Sequence, residues 1–231
     1  MGARVLRWER RPDERPNELL EAALRIFAER GYASTRLEEI AASVGVTKGT
    51  IYHYFATKEE LLLRAIEHYY EQAFVPLQHL LDERRGPVSA TIRLFLRRAF
   101  GRLDATRLSV LTLLVEGVAR DVPHAYHQWL ASGPVRGWEL LATLIEAGKA
   151  AGEFRRDADS DVIARITISG LVLQFAWQRY ADGVPRVAVD ADRLIDSAAE
   201  SLLHSLRPVG RSAPGESRRR NKGSAPRVFD P

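Results

Sequence analysis

The sequence predicts an all-α protein: a small three-helix unit containing a helix-turn-helix, followed by a larger helical region. Three observations carry that expectation. Apolar residues recur at helical spacing in stretch after stretch. Gly86-Pro87, Gly133-Pro134 and Gly152 cut the chain into helix-sized pieces. The run from Thr35 to Lys58, TRLEEIAASVGVTKGTIYHYFATK, reads as two short helices joined by a tight turn, with a third beginning just after it.

That run has a mechanical logic. Leu37, Ile40, Ala41 and Val44 give its first helix one apolar face, and Ala41 is small where the helices cross. Gly45 falls where the helix must end in a left-handed residue. Val46 plugs the angle, and Thr47 is a good N-cap for the second helix. Ile51 and Tyr54 then point inward, leaving Lys48, Gly49, Thr50, Tyr52 and His53 more exposed. A rigid helix held this way projects its N-terminal half outward, as reading a major groove requires.

The block from Leu19 to Arg64 resembles the DNA-binding domain of the TetR family of bacterial transcriptional regulators. The resemblance rests on FAERGY, on the T-x-x-x-I-A-x-x-x-G-V run ending in Gly45-Val46, on GTIYHYF and on the following KEEL. It implies a homodimer that binds a near-palindromic operator on double-stranded DNA, most simply as a repressor released by a small apolar effector. Position by position, it implies that Thr47, Lys48, Gly49 and Thr50 face base edges or flanking phosphates. Tyr52 and His53 would contact phosphates or a thymine methyl, and Lys58, Thr35 and Arg36 backbone phosphate. Base readout would fall on Lys48, Thr50 and His53.

The pI of about 9.6 does not by itself point to nucleic acid. Seven of the 34 basic residues and two of the 30 acidic ones lie from Arg207 onward, which leaves the rest of the chain with a net charge of −1. The only lysines are Lys48, Lys58, Lys149 and Lys222, two of them in or beside the reading unit. The absence of cysteine excludes disulfides, thiolate nucleophiles and cysteine-ligated zinc. The first residues lack a signal-peptide core, and no stretch approaches the roughly 18 to 20 apolar residues of a membrane span. A cytoplasmic protein without membrane contact is expected.

The expected organisation is a flexible basic arm (1–15), the helix-turn-helix DNA-binding domain (16–62), a helical effector-binding and dimerisation domain (63–207) and a disordered basic tail (208–231). The arm carries five arginines that suit phosphates or a minor groove, but such charge blocks read more simply as solvated leaders. Pro16 suits a first helical turn, Leu19, Leu20, Ala23, Ile26 and Phe27 form its stripe, and Gly31 ends it. Thr57 caps a helix from Lys58 to about Arg84, bent at Pro76, which belongs to both domains and is the natural lever between them. Lys58 sits at its N-terminus, where a bound phosphate would rationalise a cation; the alternative is a solvent-facing lysine pairing with nearby glutamates.

Further helices are expected over 88–105, 108–119 and 135–151, with HAYHQWL a separate segment broken off at Gly133-Pro134. The last two, 161–180 and 190–206, carry an apolar surplus that suggests a four-helix interface in a two-fold dimer, which is also where the TetR family dimerises. Phe95, Phe100, Tyr126, Trp129, Trp138, Phe175 and Trp177 either line an effector pocket or are core and interface. Glu116 is either a surface residue or a polar anchor in that pocket. His124 and His127 have metal-compatible spacing but no third ligand, so neither a metal nor a cofactor is expected. An enzyme would need a nucleophile, an acid–base pair or a metal site, and none is legible. The remaining alternative is a DNA-binding regulator whose C-terminal domain serves only dimerisation or protein partners.

Overall fold

The computed structural model describes residues 15–101 and 118–208, with residues 110 and 113 between them. Every regular element among the described residues is helical. Apart from Arg15, which opens the first helix, and Pro208, the expected arm and tail lie outside the described residues, as do most of the 108–119 helix and Glu116.

Helix α1 (Arg15–Arg30) ends at Gly31, and α2 (Leu37–Ser43) and α3 (Lys48–Tyr54) follow. Between α2 and α3, Gly45 adopts φ +68°, and the Val46 amide donates back to the Ala41 carbonyl at 2.9 Å, closing the turn. The Thr47 hydroxyl accepts from the Thr50 amide at 3.3 Å. Leu37, Ile40, Ala41 and Ile51 are buried, which fixes α2 and α3 at one angle against α1.

Helix α4 (Lys58–Asp82) is capped reciprocally: Thr57 accepts from the Glu60 amide at 3.0 Å, and Glu60 accepts from the Ala56 amide at 2.8 Å. It runs through Pro76 without ending. Its first half buries Leu61, Leu62, Ala65 and Ile66, and its second half Phe74 and Leu77. The boundary expected at residue 62 falls inside this unbroken helix.

Helix α5 (Val88–Phe100) starts after Pro87, which offers no capping side chain. The Glu153 carboxylate does that work instead, accepting from the Val88 amide at 2.7 Å and the Ser89 amide at 3.1 Å. After α6 (Val118–Asp121) and α7 (Pro123–Leu130), the expected break at Gly133-Pro134 does not occur. A π-helical segment, Ala131–Val135, carries the chain straight into α8 (Arg136–Ala150). The physical reason is local. Proline lacks the amide a normal turn needs, and widening the turn relieves its clash with the preceding carbonyl. Gly133 also lies so close to α4 that a Cβ would stand 2.7 Å from the Tyr70 ring.

Helix α9 (Ser160–Trp177), capped by Asp159, packs on α8, and a short 3-10 turn follows at Gln178–Tyr180. Helix α10 (Ala191–Ser205), capped by Asp190, packs on α5, where Arg97 meets Asp196 and Arg93 meets Glu200. One continuous apolar core links α1 to α10. No described helix is long and apolar enough to cross a membrane.

An outward apolar stripe lies on α9. Val162, Ile166, Leu173 and Trp177 are exposed along one stripe, Ile166 at 68%. Helix α10 differs from expectation: Ile195, Ala199, Leu202 and Leu203 are buried within the chain's own core, so they supply no outward surplus.

Candidate nucleic-acid interface and ligand cavity

Helix α3 exposes Lys48, Gly49, Tyr52 and His53, with Thr47 exposed at its cap and Thr50 half-buried. Its inner side is Ile51, fully buried. Gly49 is not demanded by internal packing, since an added Cβ would meet only Thr47 Oγ1 at 3.6 Å. The Thr47 and Thr50 hydroxyls lie 3.1 Å apart, and His53 meets the Tyr54 ring edge-on at 5.1 Å.

Lys48 Nζ lies 2.8 Å from Glu38 Oε1 and 5.6 Å from the Tyr52 ring centroid. Their hydrogen bond holds the lysine above and the carboxylate below its ordinary pKa. Both groups are exposed, so the pair is weak and Lys48 can exchange Glu38 for another anion. Arg36 is exposed beside them, at the N-cap of α2.

Two expected phosphate contacts are placed differently. Thr35 is buried, and its hydroxyl donates to the Gly31 carbonyl at 2.8 Å, closing the chain reversal after α1. Lys58 turns inward rather than toward solvent. Its ammonium donates to the Tyr32 carbonyl at 2.5 Å and lies 4.4 Å from the Tyr32 ring centroid. Burial lowers its pKa. Both residues hold the α1–α2 connection in place.

A cavity of about 570 Å³ opens between α4, α5, the π-helical segment, α8 and α9. Its size falls within the range of small-molecule sites. Of the aromatic residues expected there, Phe95 and Phe100 line it. The others do not, for distinct reasons. Phe175 is buried behind Phe100, the rings stacked at 5.7 Å. Trp129 is buried behind Tyr70, donating from Nε1 to its hydroxyl at 2.8 Å, and Tyr126 packs on Trp129 at 5.1 Å. Trp138 lies under the Arg165 guanidinium at 4.4 Å, and Trp177 is 42% exposed on the outer face of α9.

The aromatic cavity residues that sequence reasoning missed are Tyr69, Tyr70 and Phe74 of α4, and it missed the arginines Arg97 and Arg98 as well. The signal of the three aromatics was the run YYEQAF, hidden inside a helix read only as a lever. Burial raises the Tyr70 phenol well above its ordinary pKa, so it stays a neutral hydrogen-bonding group. No cluster of metal-ligating side chains occurs among the described residues, His124 and His127 included.

A capped, outward-facing α3 locked onto α2 defines a helix-turn-helix DNA-binding protein. Comparison with known proteins narrows that class. Residues 19–65 match the family described as bacterial regulatory proteins, tetR family. The chain is 32% identical over 202 residues to the HTH-type transcriptional regulator YerO of Bacillus subtilis, spanning 87% of this chain and 68% of YerO. It is 26% identical over 175 residues to the HTH-type transcriptional repressor KstR2 of Mycolicibacterium smegmatis, spanning 75% of this chain and 83% of KstR2. Its fold is similar to that of FadR from Bacillus subtilis in complex with stearoyl-CoA, with a TM-score of 0.66 at 21% identity over 83% of this chain and 99% of FadR. The chain belongs to the TetR family of transcriptional regulators, and it is a DNA-binding regulator rather than an enzyme.

Proposed function

We propose that the chain is a homodimeric repressor that reads a near-palindromic operator through α3 and is released by a small molecule bound in the cavity. The observation that carries this reading is the reach of α4. It starts at the residue that braces the α1–α2 connection, Lys58, and its Tyr69–Leu77 stretch lines the cavity. A ligand that pushes on Tyr70 or Phe74 therefore moves the same rigid helix that supports the reading unit. Residues 16–62 then serve as the DNA-binding domain and 63–207 as the sensing and dimerising domain, with α4 shared between them.

On the DNA side, Thr47, Lys48, Gly49, Thr50, Tyr52 and His53 are the contact set, with Arg36 on the phosphate backbone. Most of these position the protein, and base readout rests on Lys48, Thr50 and His53. On the dimer side, the exposed stripe Val162, Ile166, Leu173 and Trp177 supports α9 as the main contact between copies. Helix α10 contributes a lesser share. The stearoyl-CoA carried by FadR and the repressor label of KstR2 support the same reading. An open cavity of this size argues against a C-terminal domain that only dimerises.

Release is a shift between two states: the ligand must bind the DNA-incompetent arrangement more tightly, or it moves nothing. The chain has no cysteine, so Ala42→Cys, on the exposed side of α2, gives one label per protomer. Spin-label distances between the two reading units should differ between DNA-bound and ligand-bound dimers. Identical distances in both states would end this mechanism.

A further inference from the structure

The charge in the cavity has one sign. Arg97 and Arg98 of α5 line it, and no carboxylate occurs among its described lining residues. The two arginines are not equivalent. Arg97 donates from Nε and Nη2 to Asp196 of α10, both at 2.9 Å, so a carboxylate already balances its charge. Arg98 is exposed and has no carboxylate partner among the described residues. A third guanidinium, that of Arg136, lies 5.1 Å from the ring centroid of Phe74, another lining residue.

The rest of the cavity is of the opposite character. Phe74, Phe95, Phe100, Ile168 and Val172 present an apolar wall, and Phe95 is fully buried at its inner side. An apolar body gains by covering that wall. A cationic ligand would meet uncompensated like charge, and a neutral one would gain nothing from the Arg98 guanidinium. An anionic head placed at Arg98 makes a charge-assisted, forked hydrogen bond, the geometry a guanidinium is built for.

We propose that this cavity takes an amphipathic anion, with an apolar body against the Phe74–Phe95–Phe100 wall and a carboxylate or phosphate head held by Arg98. The proposal rests on the reading of the cavity as the effector site and specifies its chemistry. Arg98 is then a specificity-determining residue: it selects the head group, while the apolar wall supplies most of the binding.

The test is calorimetric titration of the full-length protein with four amphiphiles of one chain length, each below its micelle threshold: dodecanoate, dodecyl phosphate, dodecan-1-ol and dodecyltrimethylammonium. The same series is run on Arg98→Gln and on Gly137→Phe. Gly137 lines the cavity, and an added Cβ there lies 3.6 Å from Ile168 and 3.8 Å from Phe74, so a larger side chain fills the space between them. Binding of the two anions about ten-fold or more tighter than the alcohol is expected, with the ammonium weakest. Arg98→Gln should erase that preference while leaving the alcohol unchanged, and Gly137→Phe should abolish all binding. The tighter of the two anions identifies the head group. Equal binding of acid and alcohol to the wild type, or a preference that survives Arg98→Gln, overturns the anion assignment. If Gly137→Phe still abolishes both, the cavity remains the effector site. If none of the four binds a wild type that still binds DNA, the effector-site reading falls as well.

Discussion

Lys58 Nζ donates to the carbonyl of Tyr32 at 2.5 Å, tying the first turn of α4 to the connection between α1 and α2. The bond spans 26 residues of sequence, and the Tyr32 ring beneath the ammonium adds a cation–π contact at 4.4 Å. Lys58 is therefore a brace for the reading unit. Lys58→Met should cost about 1 to 2 kcal/mol and lower the melting temperature by a few degrees. The slope of DNA affinity against salt should stay as in the wild type. A slope lowered by about one unit would instead make Lys58 a phosphate ligand.

Glu38 holds the Lys48 ammonium and should therefore compete with DNA for it. The carboxylate is exposed, 2.8 Å from the ammonium, and would face the phosphates that α3 approaches. Glu38→Gln should tighten DNA binding several-fold at low salt, with the gain fading as salt rises. Anisotropy at two ionic strengths decides this. Weaker binding would mean that Glu38 positions Lys48 instead of holding it back.

Gly133 leaves no room for a side chain against Tyr70. A Cβ would stand 2.7 and 2.8 Å from two ring carbons of a residue that is itself hydrogen-bonded to Trp129. Gly133→Ala should destabilise by about 1 to 3 kcal/mol. Adding Tyr70→Leu should recover part of that loss, because the two changes share one contact. Strictly additive losses in thermal denaturation would show that the contact does not govern packing here.

Glu153 makes stability depend on acid. Burial alone would raise its pKa, but the Val88 and Ser89 amides, the Ser89 hydroxyl and the charge of Arg84 outweigh it, and the net shift is downward. A lowered folded pKa stabilises above the unfolded value of about 4.3, and that stability is lost as pH falls through the folded value. Glu153→Gln should cost about 0.5 to 1 kcal/mol at neutral pH, with the two proteins converging as pH falls through the lowered folded value of Glu153. Denaturation midpoints at neutral and acid pH test this. A gap that persists in acid would assign the loss to geometry instead of charge.

The reading unit was legible because its determinants are local. The turn at Gly45, the cap at Thr47 and the buried Ile51 all act within a few residues of one another, so spacing alone reveals them. The inward turn of Lys58 is not legible, because its partner carbonyls lie some 25 residues away and a backbone acceptor leaves no mark in sequence. The cavity was legible only in small part for the same reason. Phe95 and Phe100 show as aromatics on an amphipathic helix, but which rings face a void depends on how four helices pack. Gly133-Pro134 signalled a break because proline rules describe normal turns, and the π-helical widening lies outside them.

The most direct test concerns α3 itself. Fluorescence anisotropy would compare the wild type and a Lys48→Ala/Tyr52→Ala variant on the intergenic DNA beside the protein's own gene and on an unrelated duplex, across a salt series. A helix-turn-helix regulator should prefer its own site by about a thousand-fold or more. The variant should lose most of that affinity, with a salt slope lower by about one unit for the lost lysine. Equal, sequence-indifferent binding by wild type and variant would contradict α3 as the reading helix and leave only nonspecific charge.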